Sequence, residues 1–341
     1  MYRKAGIVGC GVLGVTMAGL VEESGAATVM WAHSAELAEK IGKERRSPNL
    51  AWYELAEGVK VTDSMEELGD CDLVIVTTTS KYVRMVSEEL GKCGLEGAVV
   101  MSASKGIEEG TGKRMSEVIL EGTGGKVRVA VMSGPNFAEE IAKKLPAASV
   151  VACEDIEVAR GLQRFLSRPY FRVYSTDDVV GVELGGPAKN VIAIAAGMCE
   201  GLGLGHNARA ALITRGLAEI MRLGVALGAR PITFSGLAGI GDLMLTATST
   251  KSRNYRAGLR LAEGKSLEEV LEELVTVEGV FSCKAMLGLA KAASVEMPIS
   301  EEVERVLFEG RSPADAVKSL MGRELKAELV EFGEGDEERA G

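Results

Sequence analysis

Hydrophobic positions along this chain follow two different periods. In the first half, short continuous apolar runs recur at 4–8, 28–31, 72–77, 98–102, 127–132, 148–153 and 171–174. Each ends in a turn of small or polar residues, and most lead into a segment with helical spacing, as after 14, 36, 80, 138 and 157. Runs of this length read as strands buried on both faces, and their alternation with helices predicts a Rossmann-like, doubly wound α/β sheet. From residue 181 the period becomes helical, over 181–199, 207–227, 231–247, 253–263, 267–274, 282–293, 300–308 and 313–321. The expected fold is therefore α/β followed by all-α. A dinucleotide-binding domain covers 1–180, an α-helical substrate-binding domain covers 181–330, and 331–341 form a disordered acidic tail.

Composition narrows the chemistry. A chain of 341 residues, 46% apolar and 26% charged, supports two cores. Its 42 glycines against 4% aromatics favour tight turns and close helix packing over aromatic-rich cores. A net charge of −10 and a pI near 5.1 argue against nucleic acid and anionic membranes as partners. A small anionic substrate remains compatible, provided a few Arg and Lys residues converge on it. The six scattered cysteines lack any CxxC spacing, and no His stands at metal-ligand spacing, which predicts reduced thiols, a cytoplasmic location and no bound metal. No stretch is expected to span a membrane.

The first strand runs directly into Gly9-Cys10-Gly11-Val12-Leu13-Gly14 and then a helix. In that context Gly9 allows the turn, Gly11 lets backbone approach a diphosphate, and Gly14 lets helix pack on strand, with the diphosphate over the helix N-terminus. The second strand ends at Ala32-His33-Ser34, without the acid that holds a ribose 2′-hydroxyl. This favours NADP(H), with His33 on the adenosine side, while Glu36 leaves NAD(H) open. Lys105 follows the strand at 98–102, and Ser133-Gly134-Pro135-Asn136-Phe137-Ala138 follows the next one. Both stand where parallel sheets present ligands.

In the helical half, Lys189 lies on an apolar stretch that contains one other ionisable residue, Glu183, and that Pro187 is expected to open as a first-turn proline. Desolvation lowers a lysine's pKa toward neutrality, as a general acid/base requires. One helical turn would set Asp242 beside Thr246. Ser252-Arg253-Asn254 offers a fork and two polar groups for a phosphate. Taken singly, Asp242 also suits a helix cap, Arg253 a surface charge and Asn254 a turn.

Six blocks in order, namely Gly9–Gly14, Ser104–Gly106, Ser133–Ala138, Gly185-Gly186 with Lys189–Ala193, Asn207–Leu212 and Ser252–Asn254, resemble the bacterial-type NAD(P)-dependent glycerol-3-phosphate dehydrogenases. The resemblance extends from the first strand to about Arg323. It implies a cytoplasmic enzyme reducing dihydroxyacetone phosphate to sn-glycerol 3-phosphate for phospholipid synthesis. By that resemblance Lys189 is the proton donor and acceptor. Lys105, Gly134, Asn136, Asp242, Ser252, Arg253 and Asn254 contact substrate, with Asn190 beside the catalytic lysine. Lys105 and Arg253 also lie near the cofactor, and Val12, Leu13, His33, Ala138, Thr276 and Glu278 line its site. Lys105 polarises the carbonyl, and Asp242 and Thr246 hold geometry. The chain departs from the pattern at Val12-Leu13, at Pro187 and at Thr79, none of which removes a reacting group. A related dehydrogenase of another keto acid or sugar-acid phosphate, and a non-catalytic NADPH sensor, are the alternatives. A homodimer is the expected assembly.

Overall fold

The computed structural model describes residues 2–274, 276–325 and 328; the expected acidic tail at 331–341 lies outside them. Eight strands form one sheet: β1 (Lys4–Val8), β2 (Ala27–Trp31), β3 (Val59–Thr62), β4 (Leu73–Val76), β5 (Val99–Ser102), β6 (Arg128–Ser133), β7 (Ala147–Ala152) and β8 (Phe171–Thr176). Between them run α1 (Val12–Glu22), α2 (Ala35–Glu44), α3 (Val83–Lys92), α4 (Met115–Gly122), α5 (Ala138–Ala142) and α6 (Ile156–Leu166). The spatial order is β3-β2-β1-β4-β5-β6-β7-β8, with every neighbouring pair parallel except β6 and β7. Strand order reverses between β1 and β4, so a crevice opens at their carboxyl ends, where the glycine loop lies.

Two elements escape the hydrophobic pattern. β3 is a four-residue edge strand, exposed at Lys60, and so lacks the continuous apolar run of its neighbours. α4 is eight residues long and buries only one flank, through Met115, Ser116, Val118 and Ile119.

After β8 the described residues are helical: α7 (Val179–Gly201), α8 (Gly205–Ala226), α9 (Pro231–Phe234), α10 (Asp242–Thr248), α11 (Arg253–Ala262), α12 (Leu267–Leu274), α13 (Glu278–Ala292), α14 (Pro298–Phe308) and α15 (Pro313–Met321). α7 is the axis of this half, with α8, α10, α11, α13 and α14 packed on it. Gly197 and Gly258 mark where α7 crosses α11: a Cβ on Gly197 would lie 2.0 Å from the Tyr255 carbonyl oxygen, and one on Gly258 2.0 Å from that of Ile194. Asp178 caps α7. Its Oδ1 accepts the Gly181 N–H at 2.9 Å, while Oδ2 accepts the Arg230 N–H at 2.9 Å and the Thr233 hydroxyl at 2.5 Å.

Three expectations are corrected here. Pro187 does not open a helix; the cap at Asp178 starts α7 eight residues earlier, and Pro187 sits in its interior. The segment 231–247 is not one helix, because a five-residue π turn (Leu237–Gly241) separates α9 from α10. Gly239 permits that turn, since a Cβ there would lie 2.0 Å from the Phe234 carbonyl oxygen. Finally, α7 is long and apolar enough to cross a membrane, with a mean hydropathy of 1.3, yet 89% of its apolar window is buried inside the protein. Its apolarity serves a core packed on all sides.

The two halves share side chains. Val131 and Ala152 of the sheet pack with Val179, Val182 and Ala238 of the helices. Ile107, from the loop after β5, joins the helical core around Leu184 and Ala188.

Candidate active site

The glycine loop after β1 is shaped by its own backbone. Gly9 has φ of +113°, a left-handed conformation that a side chain would strain. A Cβ on Gly14 would lie 2.0 Å from the Gly9 carbonyl oxygen, whereas one on Gly11 would meet nothing within 4 Å. The loop is thus closed on the sheet side and open on the other. Ser47 donates to the Cys10 carbonyl at 2.7 Å, and Thr77 to that of Val8 at 2.9 Å, fixing the loop. Gly11 caps α1 with no side chain, so the first-turn N–H groups remain for an anion. This open, donor-rich cradle fits a dinucleotide diphosphate. Val12 and Leu13 are half-buried at its rim. Ala138 lies beside α1, its carbonyl accepting from Thr16 at 3.3 Å. His33 is exposed beyond the end of β2, and Ser34 caps α2 through the Leu37 N–H. Glu36 is exposed in that helix's first turn.

Two lysines from different halves meet on one carboxylate. Lys105 Nζ donates to Asp242 Oδ2 at 2.7 Å, to Asn136 Oδ1 at 3.2 Å and to the Gly134 carbonyl at 3.3 Å. Lys189 Nζ donates to Asp242 Oδ1 at 2.5 Å and to Thr246 Oγ1 at 2.7 Å. The Thr246 hydroxyl spends its own proton on the Asp242 carbonyl at 2.7 Å, so toward Lys189 it only accepts. An ammonium has three protons. Those of Lys105 all have acceptors, whereas one proton of Lys189 has none among the described residues.

Burial governs the electrostatics of this group: the side chain of Asp242 is 1% exposed, that of Lys189 6% and that of Lys105 17%. Desolvation pulls Lys189 down to about 8; Asp242 opposes the fall, and the Lys105 charge adds to it. For Asp242 burial alone would push the carboxyl up, but the two ammonium groups override it and hold the pKa below the usual carboxylate range. The π turn ends on Gly241, whose N–H bonds the Gly236 carbonyl at 3.1 Å, and this over-wound step delivers Asp242 to the lysines.

Around this cluster the helical half supplies further polar groups. Asn190, the residue after Lys189, donates to Glu278 Oε2 at 3.3 Å. Asn254 Oδ1 accepts the Gly279 N–H at 2.8 Å, and Ser252 caps α11 through the Tyr255 N–H at 3.2 Å. Arg253 is exposed at the start of α11, without a hydrogen bond or ion pair to the described residues. Thr276 is half-buried just before α13. The structure therefore joins Lys105, Gly134, Asn136, Lys189, Asp242 and Thr246 in one network and links Asn190 to Glu278. His33, Arg253 and Thr276 make no hydrogen bond or ion pair with it among the described residues. Gly186 is an addition that residue chemistry alone did not suggest. A Cβ there would lie 3.1 Å from Cγ of Lys105, so the glycine seats the lysine stem against α7. A Gly-Gly pair inside a helical run was the available signal.

Both halves of the chain match known proteins. Residues 4–159 match the family described as NAD-dependent glycerol-3-phosphate dehydrogenase N-terminus, and 178–318 match its C-terminus. The glycerol-3-phosphate dehydrogenase (NAD(P)+) of Streptomyces coelicolor is 45% identical over 95% of this chain and 98% of its own length. That of Geobacter metallireducens is 45% identical over 96% and 99%. The crystal structure of glycerol-3-phosphate dehydrogenase from Coxiella burnetii superposes with a TM-score of 0.88 at 34% identity, covering 94% of this chain and 99% of that one. On this match across both halves, the chain belongs to the NAD-dependent glycerol-3-phosphate dehydrogenase family.

Proposed function

We propose that Lys189 is the general acid/base of this enzyme, an NAD(P)-dependent oxidoreductase that interconverts dihydroxyacetone phosphate and sn-glycerol 3-phosphate. The observation that carries the assignment is the one Lys189 proton left without a protein acceptor beside a carboxylate shared with Lys105. A bound nicotinamide cofactor supplies the hydride. Lys189 gives its free proton to the carbonyl oxygen as negative charge develops there, and takes it back in the reverse direction. Lys105 polarises the same oxygen by turning one of its longer bonds, to Asn136 or Gly134, toward it. Asp242 keeps both ammonium groups in register, and Thr246 orients Lys189.

Arg253, with Ser252, Asn254 and Asn190, holds the non-reacting phosphate, whose binding energy aligns the carbonyl. Gly9, Gly11, Val12, Leu13, Gly14, His33, Ala138, Thr276 and Glu278 hold the cofactor. Use of NADP(H) over NAD(H) is supported by His33-Ser34 in place of an acid after β2. The division into a cofactor half (1–180) and a substrate half (181–330) is supported by the last strand ending at Thr176 and α7 starting at Val179. The product serves glycerophospholipid synthesis in the cytoplasm; six free thiols suit that compartment. A homodimer through the helical half has exposed Ile232 and Phe281 available as apolar surface, and its mass in sedimentation tests it.

Initial rates of NADPH and NADH oxidation with dihydroxyacetone phosphate test the assignment. Lys189→Ala should lose about 10²–10⁴-fold in kcat, and Arg253→Ala should raise KM and lower kcat together, because the phosphate grip also aligns the carbonyl. Wild-type turnover in Lys189→Ala would overturn the role of the lysine, and the ratio of the two cofactor rates decides the preference.

A further inference from the structure

Lys105 reaches the reacting cluster from a long loop, 103–114, between β5 and α4. Nothing in the loop's own length fixes it. Three contacts do. Ile107 bridges back to Arg114, and the Glu108 N–H bonds the Lys113 carbonyl at 2.8 Å, so the loop folds into a narrow ribbon. The ribbon's far end is held from the other half of the molecule by Glu183 of α7. Glu183 Oε1 accepts the Ser116 N–H at 2.7 Å, and Oε2 accepts the Arg114 guanidinium at 3.3 Å together with the Ser116 hydroxyl. The Glu183 side chain is 6% exposed and touches none of the residues that meet on Asp242. Three residues along α7, Gly186 carries the lysine stem. One turn of helix therefore grips the ribbon at Arg114 and Ser116 and supports Lys105 itself, while Lys189 projects from the next turns.

We propose that Glu183 is a positioning residue, a buried clamp that sets Lys105 in register with Lys189 across the two halves. The proposal rests on the reading above in which Lys105 acts on the substrate. A carboxylate satisfies all three donors at once; an amide in its place keeps the shape and part of the hydrogen bonding but loses the charge toward Arg114.

A double-mutant cycle with Lys105 separates this role from a general contribution to folding. Glu183→Ala should lower kcat/KM about 10- to 100-fold, the scale of a displacement near 1 Å, with Glu183→Gln recovering most of it. In the Lys105→Ala background the same Glu183 change should cost less than about twofold. With Lys105 present, Glu183→Ala should also move the basic limb of the kcat–pH profile upward, because a displaced Lys105 no longer brings its charge close enough to depress Lys189. If Glu183→Ala does not fold, Ser116→Ala loosens the same clamp and enters the same cycle. A Glu183 or Ser116 cost that persists undiminished without Lys105 overturns the clamp alone. Wild-type kcat/KM in Lys105→Ala overturns the reading of Lys105, and the clamp with it.

Discussion

Lys189 is a base made by burial and held in check by its neighbours. With its pKa near 8 and the acid/base role proposed above, reduction should be flat below about pH 8 and fall above it, while oxidation of glycerol 3-phosphate should rise through the same pH. Asp242→Asn removes the charge that raises this pKa, so the limb should move to lower pH and kcat should fall as well. Steady-state rates in both directions against pH measure each shift. Most of these residues were legible in sequence because they stand at strand ends or in short polar blocks within apolar helices. What was not legible is their wiring. No local pattern says that Asp242 serves two lysines, or that Thr246 has already spent its proton.

At the scale of elements, β1, β4 and β5 declared themselves by continuous apolar runs, since strands covered on both faces contain little else. Periodicity failed where burial is one-sided or the backbone leaves a regular path. β3 is an edge, and the π turn before α10 reads as helix because its residues keep apolar spacing while the winding changes. Pro187 misled for a related reason. A proline looks like a helix start until a capping Asp178 farther upstream is in view. Its cost remains: residue 187 has no N–H for the Glu183 carbonyl. Pro187→Ala should therefore stabilise the fold by about 2 kcal/mol, the helix-interior penalty less the rigidity proline lends the unfolded chain. Calorimetry should show Tm rising by several degrees with kcat little changed.

For the whole molecule, net charge and one buried acid act in the same direction. Glu219 of α8 receives the N–H groups of Ile299 and Ser300 at the start of α14, and burial still pushes it up to about 7 despite those bonds and the Arg222 charge. Its folded pKa lies above the ordinary 4.5, so its contribution to stability is full below that value and lost as pH rises through about 7. The loss is on the order of 3 kcal/mol. A chain already at −10 also gains self-repulsion with every further proton released. Thermal unfolding between pH 5 and 8 should show Tm falling with pH, and Glu219→Gln should flatten that slope. The small shared core of Val131, Ala152, Val179, Val182 and Ala238 makes such a change in one half felt in the other.

α7 is, mechanically, a beam about 34 Å long, clamped at one end. Asp178 is the clamp, gripping the first turn with one oxygen and the start of α9 with the other. Lys189 sits about 16 Å along the beam, so a tilt of roughly two degrees at the clamp sweeps it sideways by about half an ångström. That is enough to exchange a tight contact with Thr246 for a slack one. A fulcrum far from the reacting atoms thereby sets the tolerance to which the amine is aimed.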